Sequence, residues 1–207
     1  DVISDISSDG KETVYIATDG NGVHFLSHKK QQVTRRFYHD VSDKEGIRSN
    51  SVYSLLVDDR GAVWVGHFQA GLDYSLYQNG LFRTYAYPPL FNSANLSIRS
   101  FISRGQEKVI GSRDGLFYIN EATGMVKSFV KPVLTSDLIL TISFYQGEYY
   151  IGTYGGGMMV LNPETLSLKY FSQSDTELFQ KGHIFCVKPD TKGNLWIGTS
   201  QGLFNYN

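Results

Sequence analysis

The chain has a single cysteine, Cys186, among 207 residues. An intrachain disulfide is therefore excluded, and the cysteine count does not fix a redox compartment. Neither charge sign dominates. Nineteen Lys and Arg stand against twenty Asp and Glu, for a net charge of −1. That balance lacks the basic excess of a nucleic-acid footprint. No run of about 18 apolar residues occurs, so no transmembrane helix is expected. No signal peptide precedes Asp1, as in a mature or excised domain. Catalytic signatures are thin: there is no H-E-x-x-H, no cysteine pair for zinc and no G-x-S-x-G elbow. The histidines at 24, 28, 39, 67 and 183 lack metal-ligand spacing. Neither a metal nor a cofactor is expected. Proline is scarce at five residues, whereas glycine (21), tyrosine (14) and phenylalanine (13) are plentiful. That mixture suits short strands joined by tight turns.

The chain repeats itself. "VYIATDGNGVHF" (14–25), "VWVGHFQAGLDY" (63–74), "KVIGSRDGLFYI" (108–119), "YYIGTYGGGMMV" (149–160) and "LWIGTSQGLFNY" (195–206) align on Tyr15, Trp64, Val109, Tyr150 and Trp196. The anchor spacings are 49, 45, 41 and 46 residues, the period of a four-stranded propeller blade. An apolar strand and a short Asp/Asn/Gly turn precede each anchor strand; a third strand follows it. A fourth strand is expected at 31–39, 80–87, 124–130 and 166–172, with Asn79-Gly80 as a hairpin signal. The blades are placed at about 1–39, 50–87, 97–130, 137–172 and 183–207, the last without its fourth strand. The fold class is all-β, a β-propeller, and these five blades are expected to be an arc of a larger seven-bladed one.

The anchor strands "VWVG", "LWIG" and "YYIG" are apolar on both faces. Strands inside a stack of sheets are covered on both sides, so this pattern favours stacked blades over an open meander. The motif's glycines separate into two kinds. The first position holds Gly66, Gly111, Gly152 and Gly198, but Ala17 in the first copy, so it reads as a site that must be small. The second holds Gly22, Gly71, Gly115, Gly157 and Gly202 without exception, the behaviour of a turn residue at positive φ. No copy has the Lys of a phosphate loop or the G-x-G-x-x-G of a dinucleotide site. Tyr15, Trp64, Tyr150 and Trp196 read as repeated core positions rather than stacking platforms.

An aliphatic strand, a D-x-x-G turn, [WY]-[IV]-G-T, a short loop and G-[LV] together resemble the two-component regulator propeller repeat. "VDDRGAVWVGHFQAGLDY" and "VKPDTKGNLWIGTSQGLFNY" carry it best, and the resemblance spans nearly the whole chain. It implies the extracytoplasmic, periplasmic sensor of a hybrid two-component regulator, typical of gut Bacteroidetes. Such sensors commonly have two seven-bladed propellers and an immunoglobulin-like module. A membrane helix, histidine kinase, receiver and DNA-binding output domain follow. The resemblance implies a homodimeric parent and an oligosaccharide ligand released from glycans. None of the membrane, kinase or output parts lies in these residues.

Binding residues are expected on one face, where second-to-third-strand loops and blade-to-blade connections emerge. The loops offer Asp19, Asn21, His67, Gln69, Arg113, Asp114, Tyr154 and Gln201; the connections offer Arg48, Asn50, Asn95, Arg99, Asp137 and His183. Such a polar and aromatic rim suits hydroxyl-rich ligands. His67 stands out because the other copies have Thr or Ser there. Asn95-Leu96-Ser97 matches a glycosylation sequon. Two other readings remain open at this stage: a propeller that holds a protein partner, and a glycan-active propeller lyase or hydrolase. "DTKGNLW" and "SSDGKETVY" loosely resemble the aspartate-box hairpins of sialidases, but that box is a turn motif.

Overall fold

An aspartate folds the turn ahead of several anchor strands. Asp58 Oδ1 accepts the N–H groups of Arg60 (3.0 Å) and Ala62 (2.8 Å), and its Oδ2 accepts the Trp64 indole N–H (3.0 Å). Asp190 repeats the device with Lys192 N–H (2.8 Å), Asn194 N–H (2.9 Å) and the Trp196 indole (3.0 Å). Asp9 accepts from Lys11 and Thr13 in the same way. One carboxylate thus satisfies turn amides that no strand partner reaches and, in two copies, orients the anchor tryptophan.

The computed structural model describes residues 2–76, 81–85, 96–171 and 177–206. Asn79-Gly80 and Asn95 lie outside them. The first sheet contains β1 (Val2–Ser8), β2 (Thr13–Asp19), β3 (Val23–Ser27) and β4 (Gln32–Phe37). The second contains β5 (Val52–Val57), β6 (Val63–His67), β7 (Leu72–Ser75) and β8 (Arg83–Thr84). The third contains β9 (Ile98–Arg104), β10 (Glu107–Ser112), β11 (Gly115–Asn120) and β12 (Met125–Phe129). The fourth contains β13 (Ile139–Tyr145), β14 (Glu148–Thr153), β15 (Met158–Leu161) and β16 (Leu168–Tyr170). The fifth has three strands, β17 (Ile184–Pro189), β18 (Leu195–Thr199) and β19 (Gly202–Tyr206). Strand order follows the chain in every sheet, and these five sheets are the blades of a β-propeller. Among the described residues one short helix, α1 (Glu177–Lys181), interrupts the all-β pattern in the connection before β17. Five residues are too few for helical periodicity to register in sequence.

The chain divides into two compact units, residues 1–107 and 108–207. In the first, Tyr15, Phe25, Phe37 and Phe82 meet edge to face at 4.8, 4.4 and 4.6 Å along the series. Val52, Val63 and Val65 complete that core. Every residue of β6 is buried. Trp64 lies between Tyr74 and Phe101, each ring 5.0 Å away. A Cβ on Gly66 would sit 2.9 Å from Ile98 Cγ2, so the glycine lets β9 close onto β6.

The second unit repeats this packing. Gly111 makes room for Ile139 and Gly152 for Ile184, each isoleucine Cβ 2.9 Å from where a glycine Cβ would be. Tyr150, Met158, Val160, Phe179, Val187, Leu195 and Ile197 share a core with Ile184. Among the described residues, a Cβ on Gly198 would meet only Cys186 Sγ of its own sheet. Trp196 differs from Trp64: it is 40% exposed, because among the described residues no sheet follows its own to cover it. Its position in the motif is the same, but burial needs a neighbouring blade. Val109 fills the anchor position of the third sheet, fully buried.

The motif's second glycines all have positive φ: Gly22 (69°), Gly71 (76°), Gly115 (129°), Gly157 (70°) and Gly202 (119°). At Gly157 a Cβ would also run into the Phe179 carbonyl of α1. Gly124 (φ 68°) has open space around it. Gly124→Ala should cost about 1 kcal/mol, from the left-handed backbone alone. Gly157→Ala should cost at least about 3 kcal/mol, since backbone must move as well. Urea midpoints of the two variants check the difference.

The Asp190 carboxyl is held well below the usual carboxylate range, first by the Asn194 side chain and then by the Asn194 backbone and Trp196 indole. A lowered folded-state pKa gives stability that is present above the unfolded value of about 3.9 and lost as pH falls through the folded value. Asp190→Asn should therefore be less stable than wild type at pH 6. The gap should narrow progressively below about pH 4. Thermal midpoints across pH 2 to 7 measure it.

Candidate ligand-binding face

In the first, second and fourth blades the loop between second and third strands is clasped by the connection that leads to the next blade. Gly22 N–H donates to Asn50 O (2.9 Å), Gly71 N–H to Leu96 O (2.9 Å) and Gly157 N–H to Gly182 O (3.0 Å). One step earlier, Phe68 N–H donates to Ser51 O (2.9 Å), Tyr154 N–H to Leu138 O (3.0 Å) and Ser200 N–H to His183 O (3.2 Å). Loops and connections therefore form one surface within each unit, with the backbone satisfied and the side chains left over.

The Thr of the motif closes the loop on itself. Thr18 and Thr153 Oγ1 donate to the Gly22 and Gly157 carbonyls at 2.9 Å, Thr199 to Gly202 at 2.9 Å, and Ser112 Oγ to Gly115 at 3.1 Å. His67 takes this position in the second blade. The sequence offered it as a rim candidate, with a buried hydrogen-bonded imidazole as the other reading. The structure places it off the rim: it is 0% exposed, with Nε2 2.9 Å from Asp73 Oδ2. Asp73, itself buried in β7, also accepts Arg48 Nε (2.7 Å) and Arg48 N–H (3.1 Å). An imidazole is too large to reach its own turn carbonyl as a hydroxyl does. It is accommodated instead by a buried carboxylate, which needs several donors to be tolerated. The pair is sealed from solvent and offers no base to a substrate.

In the first unit, Asp19 and Gln69 are exposed, while Asn21, Asn50, Arg48 and Arg99 are half-buried. Gln69 adopts φ 52°, and its N–H donates to Ser97 Oγ (3.2 Å). Arg99 lies 4.2 Å over the Tyr53 ring, and Tyr53 meets Phe68 at 5.2 Å. Among the described residues, Arg48 Nη2 and Arg99 Nε are buried without a hydrogen-bond partner.

In the second unit, Arg113, Asp114 and Gln201 are exposed loop side chains. Asp137 Oδ1 accepts Lys131 N–H at 2.7 Å. Tyr154 stacks on His183, centroids 4.0 Å apart and planes at 30°. His183 continues to Phe185 at 6.4 Å and 29°. Tyr154 and Phe185 are each 51% exposed. Ser136 Oγ holds the Tyr154 carbonyl (2.9 Å), so the ring stands on a fixed backbone. Gly155 (φ 78°) passes beside the His183 ring.

The sequence reading singled out Tyr154, His183 and Arg99 but missed Tyr53, Phe68 and Phe185. The register held the signal. The residue two after the motif's first small position is Asp19, Phe68, Arg113, Tyr154 or Ser200, free of the repeat and aromatic twice. Exposed parallel rings beside amide and guanidinium donors can bind the face of a ring that carries hydroxyls. Among the described residues, no group of three or more His, Cys, Asp and Glu is placed to hold a metal ion. Among the described residues no helix is long and apolar enough to cross a membrane.

Among known proteins, the family model for the two component regulator propeller matches residues 46–69 and 179–201. A solved extracellular domain from B. thetaiotaomicron, described as that of a hybrid two-component system, is 25% identical, with a TM-score of 0.77 over 99% of this chain and 28% of its own. Another such domain from that organism is 22% identical, with a TM-score of 0.74 over 98% and 27%. PorZ, a surface component of the type-IX secretion system of Porphyromonas gingivalis, is 14% identical, with a TM-score of 0.55 over 99% and 38%. The last two likenesses speak to fold alone. The chain thus spans little more than a quarter of the two B. thetaiotaomicron domains. No curated protein matches it. The two stretches that match the two component regulator propeller model each hold a turn aspartate, Asp58 or Asp190, and its anchor tryptophan, Trp64 or Trp196.

Proposed function

We propose that this chain is a non-catalytic, ligand-sensing part of the periplasmic propeller of a hybrid two-component histidine kinase and response regulator. Its ligand is an oligosaccharide released from a glycan, and the response controls polysaccharide-utilisation genes. The likeness to an extracellular domain of a hybrid two-component system supports the sensor reading. The observation that carries the ligand class is the exposed Tyr154–His183–Phe185 stack on a hydrogen-bonded loop face. A sugar presents axial C–H groups to such rings and hydroxyls to the surrounding side chains.

In the parent, further blades would complete a seven-bladed propeller, and an immunoglobulin-like module would lead toward the membrane. A ligand would shift the kinase only by binding one arrangement of a parent homodimer better than another. Calorimetric titration of the 207-residue protein with a panel of plant and host oligosaccharides should find a carbohydrate that binds and is recovered intact. Tyr154→Ala and Phe185→Ala should each weaken it about tenfold, the scale of one lost stacking contact. Cleaved sugar in the titration mixture would overturn the non-catalytic reading; failure of every oligosaccharide to bind would overturn the ligand class.

A further inference from the structure

The second unit also has a groove lined by the outer strands β12 and β16 and by the connection that leaves β12. Its volume is about 440 Å3, within the range of small-molecule sites. Phe129, Val130, Val133, Leu168 and Tyr170 supply apolar walls. Val130, Val133 and Tyr170 are each about half exposed, so surface remains to be buried there. Lys127 and Lys131 border the groove, and among the described residues no Asp or Glu lines it.

The walls are held in place. Val133 N–H and Leu134 N–H both donate to Val130 O, at 3.0 and 3.2 Å. The Tyr170 hydroxyl donates to Val133 O at 2.5 Å, bracing one wall against the other. On the opposite side Leu166 N–H donates to Asn162 O (2.9 Å), and Leu166 is fixed at φ 52°. The Lys127 ammonium stands 5.0 Å over the Phe129 ring and 3.5 Å from Leu166 O. It is thus positioned along the groove rather than trailing in solvent.

We propose that this groove binds a small apolar carboxylate, an aliphatic or aromatic acid. Its hydrocarbon body would cover Val130, Val133 and Tyr170, and its anionic head would meet Lys127 and Lys131. Charge selects the acid over a neutral or cationic amphiphile, since two ammonium groups face no lining carboxylate. Size selects a small molecule over a folded partner, which needs a far larger interface. The proposal uses none of the Tyr154–His183–Phe185 stack and does not rest on the sugar reading.

Octanoate added to the 15N-labelled 207-residue protein is the test, read by amide chemical shifts. Saturable shifts should cluster at residues 127–133 and 166–170. Octylamine should bind at least about tenfold more weakly, as expected when charge sets the head-group choice. Lys127→Gln and Lys131→Gln should each weaken octanoate about threefold, the scale of an exposed ion pair. Val133→Asp, on an exposed side chain that folding does not need, should abolish saturation. Tyr154→Ala should leave octanoate binding unchanged. Shifts centred elsewhere, equal affinity for octylamine, or undiminished binding by Val133→Asp would each overturn the proposal.

Discussion

The close approach of an isoleucine to a glycine in the preceding sheet is the contact on which the stacking depends. Ile98 over Gly66, Ile139 over Gly111 and Ile184 over Gly152 have the same geometry. Each isoleucine begins the first strand of its blade, and each glycine sits in the second strand of the blade before. At these three sites a side chain on the glycine would run into the isoleucine, because close-packed interiors do not absorb an extra methyl locally; the first blade has Ala17 there, and the strand that packs on it begins with Val52 instead of an isoleucine. With the gap closed, the anchor strands are covered on both faces, and β6, β10 and β14 are buried along nearly their whole length. The repeat's chemistry follows from a steric condition at one atom.

Two polar devices then fix the strand ends. The turn aspartate gathers amides that the ladder leaves unpaired, and the Thr hydroxyl gathers a loop carbonyl. Both use a side chain to satisfy backbone, so neither loop needs a ligand to be complete. What remains is a small number of side chains per blade that the repeat does not constrain. In the second unit these include the exposed rings at 154 and 185. The proposed sugar contacts fall on these rings because the repeat commits them neither to packing nor to the backbone.

Much of the fold was legible because it is periodic. Anchor spacings, paired glycines and apolar strands recur, and a repeated signal is separable from chance in a way that one loop is not. The helix at 177–181 was not legible, since one turn carries no period. The site was legible only in part. Tyr154 and His183 could be named from the loops, but their stacking joins a loop to the next connection, a contact that strand register sets and composition does not. Phe185 was hidden for another reason. It lies inside a strand that reads as core, yet half of it is exposed in the last sheet. Trp196 makes the same point, since identical motifs give different burial when the covering sheet differs.

His67 shows how far a repeat tolerates a broken rule. A hydroxyl at this position costs little to bury, because it closes on a carbonyl within its own loop. An imidazole there needs an acceptor beneath it, and Asp73 supplies one. A buried carboxylate with a single partner would be costly, so Arg48 contributes two more donors from the preceding connection. The replacement at one loop position therefore draws in residues from two other segments, 48 and 73. In the fourth and fifth blades the hydroxyl staple stays local, and the neighbouring side chains keep no such obligation. This is why the arginine at 48, which looks like a rim residue in sequence, spends its guanidinium Nε on the structure, while Tyr154 beside its local staple keeps a free ring face.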